Sequence, residues 1–324
     1  MIVSRSRIAF VLVIAAATLV QACSSSSTSP SATAPPGATT IYVANRNGAD
    51  VLEFPITGNG NIPPTATISG ANTLLTDPDS LAVDSNGLVY VQNDSGTDIM
   101  IFNATGNVAP SAQIAGSNTG LAASVGLAVD SALNIYATSY TANTLTEFPP
   151  GSNGNVAFSH QAVGAATGLT GATTVAIFQG TAYVTNPSTD TVVGLTVPAS
   201  GNQAYVSLLS GAATGLNQPF GIAFDTSGNM YVANESGNSI TVFAPPYNGN
   251  AAPIRTISGA ATGLNAPDAV VLDISNKLYV GNYPGAGNSS ITVYAPGATG
   301  NAAPIATISG SNTTLAGPSG IALH

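Results

Sequence analysis

The chain has one cysteine, no tryptophan and two histidines among 324 residues, and only 6% of its residues are charged. Each scarcity removes a class of chemistry. Cys23 alone can form neither an internal disulfide nor a thiol pair for redox or metal work. His160 and His324 are too few for a clustered zinc site, and they leave general-base chemistry poorly supplied. Five Lys and Arg stand against fourteen Asp and Glu, so the surface repels phosphate backbones and nucleic-acid binding is not expected. The apolar run from Ile8 to Val20 is 13 residues long, too short to cross a bilayer.

Glycine, proline and small hydroxyl or amide side chains take the vacated places, with 35 Gly and 21 Pro. They are distributed with a period. A tyrosine recurs at positions 42, 90, 136, 183, 231 and 279, at spacings of 48, 46, 47, 48 and 48. The best-formed copy is GIAFDTSGNMYVANESGNSITVF, Gly221 to Phe243. Within the copy from Phe220 to Ser258 four β-like runs follow one another: Ile222 to Asp225, Met230 to Asn234, Ser239 to Phe243 and Pro253 to Ile257. An Asp-x-x-Gly stretch joins the first two, since an Asp side chain can close a turn and Gly accepts a positive φ. Six copies of four short strands predict an all-β, six-bladed β-propeller.

Closure is also predicted. The repeats begin at a second strand, Ile41 to Asn45, and GPSGIALH at the C-terminus matches a lone first strand. Pairing Gly320 to Leu323 with Ile41 to Asn45 completes the first blade and removes the ring's open edges. The propeller is thus expected over residues 41–324. Arg5 and Arg7 ahead of the apolar run read as a signal peptide, residues 1–22. Leu19-Val20-Gln21-Ala22-Cys23 resembles the bacterial lipobox, which implies that Cys23 is lipidated and becomes the mature N-terminus. Residues 23–40, rich in Ser, Thr and Pro, read as a disordered tether that holds the propeller just off the membrane. The expected address is that of an exported lipoprotein at the outer membrane or cell surface, a monomer meeting the membrane through its lipid anchor only. Without Arg5 and Arg7, Arg46, Arg255 and Lys277 are the basic residues that remain.

The tetrapeptides YVAN, YVQN, YVTN, YVAN and YVGN at Tyr42, Tyr90, Tyr183, Tyr231 and Tyr279, with their Asp-x-x-Gly turns, resemble NHL-repeat and YVTN-type propellers. There is no Trp-Asp pair of the WD kind. That resemblance implies a fold shared by binding scaffolds, gluconolactonase-like calcium hydrolases and streptogramin lyases, so it leaves activity open.

Comparison between copies separates scaffold from candidate site. Asp84, Asp130, Asp225 and Asp273 recur at the end of the first strand, with Ile177 and His324 as exceptions, and read as turn-capping carboxylates. Asn45, Asn93, Asn186, Asn234 and Asn282, with Ser139 in the third copy, read as turn residues. The SG(A/S)(A/N)T(G/T)L loop, as at Ser258 to Leu264, reads as a connection between blades. Residues that differ from copy to copy cluster where the second strand leaves and the first strand enters, around one mouth of the channel. Ligand candidates there are Arg46, Asp94, Tyr140, Phe220, Glu235 and Tyr283. Asp79 and Asp268 are candidate calcium ligands, because hard cations take carboxylate oxygen. The expected function is a non-catalytic propeller, without a cofactor, that binds a polymer, peptide, glycan or protein partner at the mouth. The alternative is a calcium-dependent hydrolase or lyase on the same face. His160 reads as an exposed edge residue, and Lys277 lies in a hairpin on the opposite face.

Overall fold

In four of the six blades the first two strands are joined by the same local device. Asp225 Oδ1 accepts the N–H groups of Ser227 and Asn229 at 2.9 and 2.8 Å, closing the turn between the first two strands of its blade. Its Oδ2 accepts from the Tyr231 hydroxyl, at 3.4 Å. Asp84 with Tyr90, Asp130 with Tyr136 and Asp273 with Tyr279 repeat the arrangement. The periodic Asp and Tyr are therefore partners in one structural unit. Asp225→Ala is expected to cost about 1–2 kcal/mol, the usual loss when a cap goes and orphaned N–H groups remain, read as a lower midpoint in urea with unchanged slope.

The computed structural model describes residues 37–93, 97–285 and 288–324. They form six four-stranded antiparallel sheets. Blade 1 combines Pro318–Leu323 with Thr40–Asn45, Asp50–Pro55 and Ala66–Ile68. Blades 2 to 6 follow in chain order, opening with Pro78–Val83, Ser124–Val129, Val175–Phe178, Pro219–Phe224 and Pro267–Leu272. These six first strands contact one another in a closed ring around the axis. In blade 5 the second and third strands are Met230–Asn234 and Ser239–Phe243, as the sequence predicted, whereas the fourth is Arg255–Ser258.

Closure occurs in the expected register, with Ile41 opposite Leu323, Val43 opposite Ile321 and Ala44 opposite Gly320. The pairing reaches further back than expected. Thr39 and Thr40 both donate their N–H to the His324 carbonyl, so Thr40 belongs to the strand and not to a tether. Residues 1–36, on which the expected signal peptide and Cys23 fall, lie outside the described residues.

The core is divided among the blade interfaces. Six apolar clusters each join two neighbouring blades; Ile41, Leu52 and Phe54 of blade 1, for example, pack with Tyr279, Ile291 and Ile308 of blade 6. Both faces of a blade are covered, which is why its strands read as nearly continuous apolar runs. Close approach at the axis demands small residues. A Cβ on Gly126 would lie 2.0 Å from the Thr173 carbonyl oxygen, and one on Gly221 would lie 2.6 Å from that of Asp268.

Blade 4 departs from the pattern. Its hairpin is one residue shorter, turning on Gln179 and Gly180, both at positive φ. Ala176 pairs with Tyr183 as Ala82 pairs with Tyr90, so Phe178, not Ile177, stands at the Asp position. Phe178 stacks on Phe224 of blade 5, ring centroids 4.4 Å apart. An aromatic contact thus replaces the missing carboxylate.

The connecting loop is a staple between blades. In each copy a threonine hydroxyl bonds back to a glycine carbonyl, as Thr262 to Gly259 at 2.7 Å. An asparagine of the next blade accepts an N–H from the same turn, as Asn301 from Ala261 at 2.7 Å and Asn250 from Ala213 at 2.7 Å. The asparagine after each second strand has a related task. Asn234 and Asn282 accept the N–H groups of Asn217 and Asn265 in the incoming connector, and Ser139 does so for Ala122. These side chains tie a distant segment down and do not merely shape a turn.

Candidate ligand site at the channel mouth

First strands run from one face of the ring, the mouth, to the opposite or rear face, and second strands return to the mouth. Asp79 and Asp268 enter first strands there, while Arg46 and Glu235 directly follow second strands. Topology alone therefore gathers residues far apart in the chain. A cavity of about 190 Å³ lies on the axis. Arg46, Asp79, Phe220, Asp268 and Ser319 line it at the mouth, and Leu81, Leu127, Val175, Ile222, Val270 and Ile321 line it deeper. Its entrance is polar and its wall largely aliphatic.

One ion pair organises the entrance. Arg46 Nη1 donates to Asp79 Oδ1 at 2.5 Å, linking blade 1 to blade 2. Asp79 is 5% exposed and Arg46 31%, so the pair is partly desolvated and stronger than a surface salt bridge. Asp268 retains some solvent contact but is enclosed by protein. That desolvation, followed by the neighbouring charges of Asp79 and Glu235, holds its carboxyl well above the ordinary Asp value of 3.8, with Arg46 opposing the shift. Glu235 is also pushed upward by burial. The entrance thus offers one guanidinium, one ionised partner and a carboxyl inclined to keep its proton and donate a hydrogen bond.

The other candidates are dispersed. Phe220 faces the cavity. Tyr283 instead lies over Gly317 at the rim and donates its hydroxyl to Asn47 Oδ1 at 3.1 Å, bridging blades 6 and 1. Tyr140 is exposed beside Gly171 and is not part of the cavity wall. The three aromatics therefore do not converge. Asp94 lies outside the described residues. Among the described residues, no group of three His, Cys, Asp or Glu side chains is placed to hold a metal ion. His324 closes the rear end of blade 1, and His160 is on the outer strand of blade 3 with Nδ1 3.3 Å from Glu147 Oε1. Neither histidine reaches the cavity.

Sequence reasoning placed Arg46 and Asp79 at one mouth without pairing them, and it missed the aliphatic wall. The signal for the wall was present in the unbroken runs Leu81 to Val83 and Ile222 to Phe224. Such runs serve a blade interface equally well, so the pattern alone does not mark a cavity.

No family model matches the chain, and no curated protein matches it. Solved structures do resemble it. One is a protein of unknown function from Bacteroides caccae, 12% identical, at a TM-score of 0.62 over 88% of this chain and 98% of that one. A chain of a nidogen/laminin complex is 16% identical, at a TM-score of 0.64 over 88% and 97%. Streptogramin B lyase is 9% identical, at a TM-score of 0.55 over 85% and 87%. At these identities the likeness establishes the propeller fold, and it spans both a lyase and a protein complex.

Proposed function

We propose that this chain is an NHL-like binding propeller, exported and anchored by lipid at Cys23, that takes a peptide, glycan or protein segment at the channel mouth. The observation that carries the reading is the axial cavity, with Arg46, Asp79 and Asp268 around an aliphatic shaft. A mixed lining of this kind can bury an apolar group while its entrance orients polar atoms. Catalysis is less well supported. A hydrolase or lyase needs a base aimed at its substrate; no histidine lines the cavity, and of its mouth carboxyls Asp79 is engaged by Arg46 while Asp268 is inclined to keep its proton. The lipobox-like segment ending at Cys23 supports the anchor.

The test is a melting scan of the full chain with EDTA, with calcium, and with a panel of glycans and peptides. A ligand at a hundredfold excess over Kd should add about 2.7 kcal/mol, or several degrees for a domain of this size. The expected result is a shift with one glycan or peptide that disappears in Phe220→Ala. A shift with calcium alone, lost in Asp79→Ala/Asp268→Ala, would instead favour the hydrolase reading.

A further inference from the structure

The rear face differs from the mouth in both polarity and charge. Val206, Ile254 and Ile305 occupy one repeated position, the residue entering the fourth strand of blades 4, 5 and 6, where each donates its N–H to the third strand. They are 59%, 51% and 54% exposed. At the same position blades 1, 2 and 3 carry Thr65, Ser111 and Ser159. Ile274, also exposed, joins the three from the rear turn of blade 6. Scattered apolar side chains are ordinary on a surface, whereas these share one face and one side of the ring.

Two further observations say what covers this arc. Ile274 and Ile305 line a groove of about 330 Å³ together with Gly37 and Lys277. Gly37, the first described residue on the Cys23 side, therefore lies beside the arc. Charge divides the faces in the same sense. At the mouth Asp190 is exposed and Glu235 half-buried, where an anionic headgroup layer would repel them. Of the rear carboxylates, Asp84, Asp225 and Asp273 are buried against their own turns, Asp130 is half-buried in blade 3, away from the arc, and Lys277 stands in the groove.

We propose that the arc of Val206, Ile254, Ile274 and Ile305 is a lipid-docking surface. It seats the rear face on the bilayer and turns the mouth away from it. The proposal rests on the reading of Cys23 as a lipid anchor and replaces a propeller floating off the membrane by one with a defined orientation. Shallow insertion of a few aliphatic side chains is enough to orient a body already held at the surface.

The experiment uses the full, lipidated chain in phosphatidylcholine vesicles. A polarity-sensitive fluorophore is attached in turn through Ile254→Cys, Ile305→Cys and, at the mouth, Thr141→Cys. Nitroxide-bearing lipids should quench the two rear labels at least threefold more than the mouth label. In Val206→Asn/Ile274→Asn, with an unchanged melting temperature, quenching at Ile305→Cys should fall toward the mouth level. Equal quenching on both faces of a chain that floats with vesicles would overturn docking and leave the anchor standing. Failure to float would overturn both readings. Rear-face protection that persists in lipid-free detergent, together with a dimer in sedimentation, would make a second copy the occupant and overturn the proposal.

Discussion

A chain ending at Gly317 is expected to lose about 4 kcal/mol of stability or to fail to fold. The deletion removes Pro318–Leu323, the first strand of blade 1. Ile321 and Leu323 are both buried in the interface with blade 6, and each contributes about 2 kcal/mol by burial. The edge of Thr40–Asn45 is then exposed along the ladder that His324 and Leu323 now cap, which also invites aggregation. Against a typical total of about 5–15 kcal/mol this is a large fraction. For a domain of this size it amounts to about 8–16 °C in Tm. Calorimetry of the truncated chain, with and without a peptide spanning Gly317 to His324, would decide the matter. A truncated chain melting within about 2 °C of the parent would show that the C-terminal strand decorates the ring without closing it.

Replacing Arg46 by methionine is the second large effect expected. The aliphatic stem is roughly preserved, but Asp79 loses its guanidinium in a place where it is 5% exposed. Breaking a desolvated pair from one side costs about 2–4 kcal/mol at neutral pH. Asp79→Asn added to Arg46→Met should recover most of that, because the double variant strands no buried charge. The pH dependence carries the sign. Asp268 has a raised folded-state pKa, so its contribution is fully present below the ordinary Asp value of 3.8 and is lost as pH rises through the folded value. The parent should therefore gain stability as pH falls from the folded value toward 3.8, Asp268→Asn should flatten that slope, and Arg46→Met, which removes the charge opposing the shift, should move its onset to higher pH. Urea midpoints at four pH values measure all three. A slope unchanged by Asp268→Asn would mean that the carboxyl at the mouth titrates normally.

Much of the scaffold was legible in the chain because a propeller repeats its solution. The Tyr spacing, the Asp turn and the lone first strand at the C-terminus each express local chemistry, and each recurs. Local reading erred where a copy changed length. Counting along the repeat puts Ile177 opposite Asp84, but the shorter turn at Gln179 and Gly180 moves Phe178 into that place. Half of the blade staple also escaped notice. The glycine-threonine loop recurs visibly, yet its partner, an asparagine such as Asn301 for Ala261, lies on the next blade, and periodicity alone does not identify which repeated element binds which.

The mouth shows the same division. Variation between copies pointed to Arg46, Asp79, Phe220, Glu235 and Asp268, because a position excused from the repeat is free to do something else. It could not show that Arg46 would grip Asp79, that Tyr283 would be occupied by Asn47, or that Asp268 would be enclosed. Those outcomes depend on the distances between blades. By itself, the sequence determined a six-bladed ring and its point of closure, since strand patterning, turn residues and period are properties of neighbouring residues. Only the tertiary structure decided which charges meet at the axis and which face carries the apolar arc, because both follow from bringing residues separated by whole blades onto one side of a ring.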